Sequence, residues 1–171
     1  DVTKGTLLWK TFINSNRECS YGSVVLKSSP AIMGNTVYIG SLVGNLYAID
    51  ANSGNILWKT PTNGPVESSP AVANGSVFFT SEEPSTGILY RVDAGSGDVI
   101  WKQQLPYETQ FTGGNEMLAS PSVAAGMVFA LANIRTYYGI NETNGAYVWN
   151  FTDPSATEFI VLSPIYNNGQ V

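Results

Sequence analysis

The chain has 171 residues, with 8 basic and 13 acidic side chains, no histidine, one cysteine and a formal net charge of −5. Scattered cations on an acidic chain argue against a nucleic-acid partner, since a phosphate-binding face needs clustered Lys and Arg. Without histidine and with one thiol, zinc and copper lack ligands and Ser-His-Asp or Cys-His nucleophilic catalysis has no base, so no catalytic residue and no metal site is assigned.

In chain order, residues 1–11 carry Asp1, Gly5 and Trp9: an acidic or amide residue, glycine four positions on, tryptophan four further. The pattern returns at Asp50, Gly54, Trp58, then at Asp93, Gly97, Trp101, and last at Asn141, Gly145, Trp149, using all 4 tryptophans. Ser-Pro pairs at 29–30, 69–70, 120–121 and 163–164 recur in step with it. Residues 28–61, 68–105 and 119–152 therefore align as three copies, and 162–171 open another.

Within the first copy, Ala31–Met33 predicts a strand A, Gly34-Asn35 a tight turn and Thr36–Gly40 a β-branched and aromatic strand B. Asn45–Asp50 predicts strand C, Asn52-Ser53-Gly54 a turn with glycine at positive φ, and Asn55–Thr60 strand D. Trp-to-Trp spacings of 49, 43 and 48 residues lie in the period range of propeller blades. The fold expected is an all-β propeller of four-stranded antiparallel blades, three full and partial at both ends, 1–11 being the strand D of a preceding blade. Closure needs about four to eight blades, so the segment is expected to belong to a six- to eight-bladed whole. Each Trp is expected between blades, its indole N–H bonded to a carbonyl of the neighbouring repeat, because a buried indole needs an acceptor.

Ala48-Ile49-Asp50 followed by Gly54 and Trp58 resembles the tryptophan-docking motif of the pyrroloquinoline quinone (PQQ) type propeller repeat. The second copy keeps Asp93, Gly97 and Trp101 with Arg91 in place of alanine; the third has Gly139 and Asn141. The likeness covers roughly the whole chain. The family holds quinoprotein alcohol and glucose dehydrogenases, an outer-membrane assembly lipoprotein, lumenal stress-sensor domains and non-catalytic surface proteins. In the alcohol dehydrogenases the resemblance implies PQQ between a Trp and a ring of adjacent cysteines, above a carboxylate, an Asn and calcium. Here there are no adjacent cysteines, and every Trp is assigned to docking. The reading is therefore a non-enzymatic extracellular or cell-surface interaction module with no cofactor, the cofactor-binding residues being unassigned. The alternative is a dehydrogenase of alcohols or sugars using PQQ with calcium.

From each Trp to the next Ser-Pro proline the gap is 21, 12, 20 and 15 residues, so two D-to-A crossings are expanded. Strand alternation puts these crossings and the B-to-C loops on one face, the expected binding face. Its candidate residues are Lys27, Ser28, Glu67, Ser68, Glu116 and Arg135, with Lys27 and Glu67 placed to pair across adjacent blades. Arg17 and Glu18 are further loop charges, and Arg135 suits anion recognition. Cys19 reads as a small buried hydrophobe or a bridge to another part of the protein. Sequons occur at Asn74, Asn141 and Asn150, with Asn74 favoured as a glycan acceptor because it sits at a turn tip. Export, with any leader or anchor outside this chain, fits a charged content of 12% against about a quarter in typical domains. The partners expected are a protein or a second copy meeting the blade edges, with no nucleic acid and no transmembrane segment in this chain.

Overall fold

The computed structural model describes residues 3–13, 26–83, 86–106, 119–132, 136–154, 163–167 and 170–171. The described residues form three four-stranded antiparallel sheets and contain no helix. The first is β1 (Ala31–Met33), β2 (Thr36–Ser41), β3 (Asn45–Asp50) and β4 (Ile56–Pro61), in that spatial order. The second is β5 (Ala71–Ala73), β6 (Ser76–Glu83), β7 (Thr86–Asp93) and β8 (Val99–Leu105); the third is β9 (Ser122–Ala124), β10 (Met127–Ala132), β11 (Thr136–Asn141) and β12 (Tyr147–Thr152). Every sheet is a meander in which successive strands pair, the arrangement that short glycine-bearing turns favour.

Successive sheets stack face to face, and β1, β5 and β9 lie side by side along one edge of the stack. A period-two pattern makes the middle sheet two-sided. Val77 and Phe79 pack with Tyr38, Leu46 and Val66 towards the first sheet, while Phe78 and Leu89 pack with Val128, Ala130 and Ile140 towards the third. Adjacent residues of a strand point to opposite faces, so an unbroken run of buried residues such as 76–81, with Val77–Phe79 at its apolar centre, marks a strand covered on both sides.

Each outer strand carries one extra residue just before its tryptophan. Ala48 pairs Trp58 but Ile49 pairs Ile56, leaving Leu57 unmatched; Ile100 and Val148 are left over in the same way. A bulge bends its strand and re-aims the following side chain.

Two terminal expectations look different here. Among the described residues neither 3–13 nor 163–171 carries a strand ladder; the latter shows only an isolated bridge, Asn167 with Gln170. A strand exists only beside a partner, and residues 3–13 are fixed instead through side chains. Arg17, Glu18, Cys19, Glu116 and Arg135 lie outside the described residues.

Candidate interaction face and the tryptophan sockets

The turn joining the last two strands of each sheet is built by the short polar residue that opens the repeated pattern. Asp50 Oδ1 accepts from the Asn52 and Ser53 backbone N–H groups at 3.1 and 2.7 Å, and Asp93 Oδ1 from Gly95 and Ser96, both at 2.9 Å. Asn141 Oδ1 does the same for Thr143 and Asn144 at 2.9 and 3.1 Å. Hydrogen bonds from Ser53 hold Asp50 below the ordinary aspartate range, and those from Ser96 and Gly95 hold Asp93 there. Gly54, Gly97 and Gly145 sit at φ of 74°, 78° and 73°, where an L side chain is strained.

These turns receive the tryptophan of the preceding repeat. The indole N–H of Trp9 donates to Ala51 O at 2.8 Å, Trp58 to Ala94 O at 3.2 Å and Trp101 to Glu142 O at 3.0 Å. Each ring lies on the glycine of the same turn. A Cβ on Gly54 would come within 2.7 Å of Trp9, one on Gly97 within 2.6 Å of Trp58, and one on Gly145 within 2.9 Å of Trp101. The glycine is thus needed twice, for its backbone angle and for the approach of the ring.

A second donor reaches the same carbonyl at both sheet junctions, and it changes identity. Tyr38 Oη donates to Ala94 O at 3.0 Å. In the next sheet the tyrosine is replaced by Phe78 and its cross-strand partner Ala48 by Arg91. Arg91 Nη1 then donates to Glu142 O at 2.7 Å and Thr143 O at 3.2 Å, with the guanidinium 5.8 Å from the Phe78 ring. In the repeated motif Arg91 stands where the first copy has alanine. The paired change of Tyr38 to Phe78 was the signal that could have shown its role.

On the loop-bearing face the structure brings Lys27 and Glu67 together, with Nζ at 2.8 and 2.9 Å from the two carboxylate oxygens. Ser28 and Ser68 are buried, and their hydroxyls serve the backbone. Gly40 N–H donates to Ser28 Oγ at 3.0 Å, and Thr80 N–H donates to Ser68 Oγ at 2.9 Å, which in turn donates to Thr80 O at 3.1 Å. Ser-Pro serines stitch the inner edge, since Ser29 N–H donates to Ser69 Oγ at 2.9 Å and Ser69 N–H to Ser120 Oγ at 2.8 Å. The 62–66 crossing is a wedge that the sequence did not reveal. Val66 N–H donates to Ser41 O at 3.0 Å, Glu82 N–H to Pro65 O at 3.0 Å, and Val66 is fully buried. Gly64 lies so close to the Glu82 carbonyl that any side chain would collide with it. Glu83 accepts from Tyr90 Oη and, at 3.1 Å, from Asn63 Nδ2; burial, with the Glu83 contact, raises the Tyr90 phenol well above its ordinary range.

The tryptophans that the resemblance would offer to a quinone are otherwise engaged. Three indoles are hydrogen-bonded into neighbouring turns, and the fourth, Trp149, packs onto Gly139 of its own sheet and against Phe129 at 6.0 Å. Trp149 lines a shallow cavity of about 250 Å³ with Tyr137, Phe151 and Val171 at the open face of the third sheet. Among the described residues no group of three His, Cys, Asp or Glu is placed to hold a metal.

A family model described as outer membrane protein assembly factor BamB matches residues 1–114 and 85–168. The chain belongs to this BamB-like PQQ repeat family. Tetrathionate hydrolase of Acidithiobacillus ferrooxidans is 26% identical to it over 98% of this chain and 36% of its own length. BamB of Yersinia pestis is 32% identical over 45% of this chain and 20% of its own. The chain thus spans about a third or less of these relatives. BamB from Moraxella catarrhalis superposes with a TM-score of 0.59 at 22% identity, covering 70% of this chain and 34% of that one. Quinohemoprotein alcohol dehydrogenase ADHIIG from Pseudomonas putida HK5 gives 0.59 at 19% identity, covering 72% and 26%. These likenesses establish the propeller fold. Among the described residues no helix is long and apolar enough to cross a membrane.

Proposed function

We propose that this BamB-like chain is a non-enzymatic interaction or structural module acting outside the cytoplasm, engaging a protein partner through the face that carries the B-to-C and D-to-A loops. The observation that carries this reading is how the polar groups of that face are used. Ser28 and Ser68 serve backbone groups, Lys27 is matched to Glu67, and Glu83 is held by Tyr90 and Asn63. Groups bonded in this way shape a rigid surface, whereas a nucleophile or general base needs reach to a reacting atom. The name of one relative, an assembly factor, supports the reading, and the names of two others, a hydrolase and an alcohol dehydrogenase, define what would contradict it.

The test is direct. The chain is incubated with PQQ and calcium and offered alcohols and sugars with a dye acceptor, and separately offered tetrathionate. No dye reduction and no tetrathionate loss above a protein-free control is expected. Turnover in either assay that survives further purification would overturn the non-enzymatic reading.

A further inference from the structure

The three glycosylation sequons stand in different surroundings. Asn74 is at a turn tip with φ 49°, but its Nδ2 donates to Glu142 Oε1 of the next sheet at 2.8 Å, and Glu142 is buried. Asn74 is itself exposed, but a sugar on that nitrogen would disturb this hydrogen bond at the seam between two sheets. Asn141 holds its turn through Oδ1 and flanks the Trp101 socket. Asn150 lies on β12, the outermost strand of its sheet, is exposed, and its carboxamide makes no hydrogen bond among the described residues. Thr152, two residues on in an extended strand, is on the same side as Asn150.

The repeat supplies an independent observation. The residue after the tryptophan is Lys10, Lys59 and Lys102 in the first three instances of the pattern and Asn150 in the fourth. Lysine on an edge strand discourages pairing with another chain. β12 has no charged residue, and it exposes Tyr147, Val148 and Phe151. The edge most in need of a solvated group thus carries a sequon where the others carry a cation.

We infer that Asn150 is the N-glycan acceptor of this protein and that its glycan replaces lysine as the guard of the β12 edge. The donor is a lipid-linked oligosaccharide pyrophosphate. A bond forms between Asn150 Nδ2 and the anomeric carbon, the bond from that carbon to the pyrophosphate oxygen breaks, and the lipid pyrophosphate leaves while the amide releases one proton. The order of acceptors expected from turn position, with Asn74 first, is reversed in this assignment.

The experiment expresses the full chain in a host with an oligosaccharyltransferase and measures occupancy at each sequon by peptide mass spectrometry of the soluble, folded fraction. Asn150 is expected to be occupied in most chains, with Asn74 and Asn141 occupied in few. Asn150 bare, or Asn74 occupied as often as Asn150, would overturn the acceptor assignment. Sedimentation of Asn150→Gln and Asn150→Lys then tests the guard role. The glutamine variant is expected to show a severalfold larger associated fraction than the glycosylated protein, and the lysine variant to match the glycosylated protein. Equal dispersal of the glutamine variant would overturn that part.

Discussion

The junction between the first and second sheets and that between the second and third use one plan with different parts. In both, a tryptophan ring covers a glycine and its indole N–H shares a carbonyl with a second donor. At the first junction that donor is the neutral Tyr38 hydroxyl, and Thr60 Oγ1 adds a bond to Gly97 O at 2.6 Å. At the second it is the Arg91 guanidinium; Gln103 stands where a threonine would, and Tyr138 and Tyr147 of the third sheet reach back to Pro106 O and Gln104 O. Both junctions thus keep the acceptor, a carbonyl beside a left-handed glycine, while the donors change.

The largest expected effect tests the shared part. Trp58→Ala and Trp101→Ala each remove a half-buried ring and its hydrogen bond, at a cost of about 3 kcal/mol. Chemical denaturation of each single variant is the measurement. A loss below about 1 kcal/mol in either would mean that the ring does not hold its junction.

The donors separate the junctions at the next level. Arg91→Ala removes a charged donor from two carbonyls and leaves the Phe78 face uncovered, an expected loss of about 2 kcal/mol. Tyr38→Phe removes one neutral hydroxyl while Trp58 still satisfies Ala94 O, an expected loss of about 1 kcal/mol. The double exchange Phe78→Tyr with Arg91→Ala installs the first junction's donor in the second. Recovery of at least half of the Arg91→Ala loss is expected in equilibrium unfolding, and no recovery would show that the two donors are not interchangeable.

Much of this architecture was legible in the residues because it rests on local chemistry. Alternating β-branched and aromatic residues between glycine turns placed the first sheet's strands to within a residue: strand B runs on to Ser41, and strand D is shifted by one to Ile56–Pro61. Asp50, Asp93 and their glycines announced the turns by type and spacing. What the sequence hid was non-local. No spacing rule says that Gly97 belongs to the socket of Trp58, 39 positions earlier, rather than to Trp101 in its own repeat. Nor does composition show that Gly64 must pass against Glu82, or that Ser28 and Ser68, read as candidates for a binding face, are needed by backbone groups across their own sheets. Those facts depend on which surfaces meet after the strands have paired.

The smallest effect uses acid to distinguish the junctions. The turn that receives Trp58 is held by Asp93, and the turn that receives Trp101 by the uncharged Asn141. The Ser96 and Gly95 N–H groups lower the Asp93 pKa in the folded protein. A carboxyl depressed by folding contributes stability that is complete above its unfolded pKa, about 3.9, and is lost as pH falls through the lower folded value. The first junction should therefore loosen below about pH 4, while the second, whose turn is pinned by the uncharged Asn141 carboxamide, keeps its socket. Asp93 is exposed, so the change is small. Amide hydrogen exchange at acidic pH, compared between the 94–98 and 142–146 turns, reads it. Faster exchange confined to 94–98 is expected, and Asp93→Asn should remove the excess. Parallel acceleration of both turns would mean that acid acts on the sheets as a whole and that the Asp93 carboxylate is not what distinguishes them.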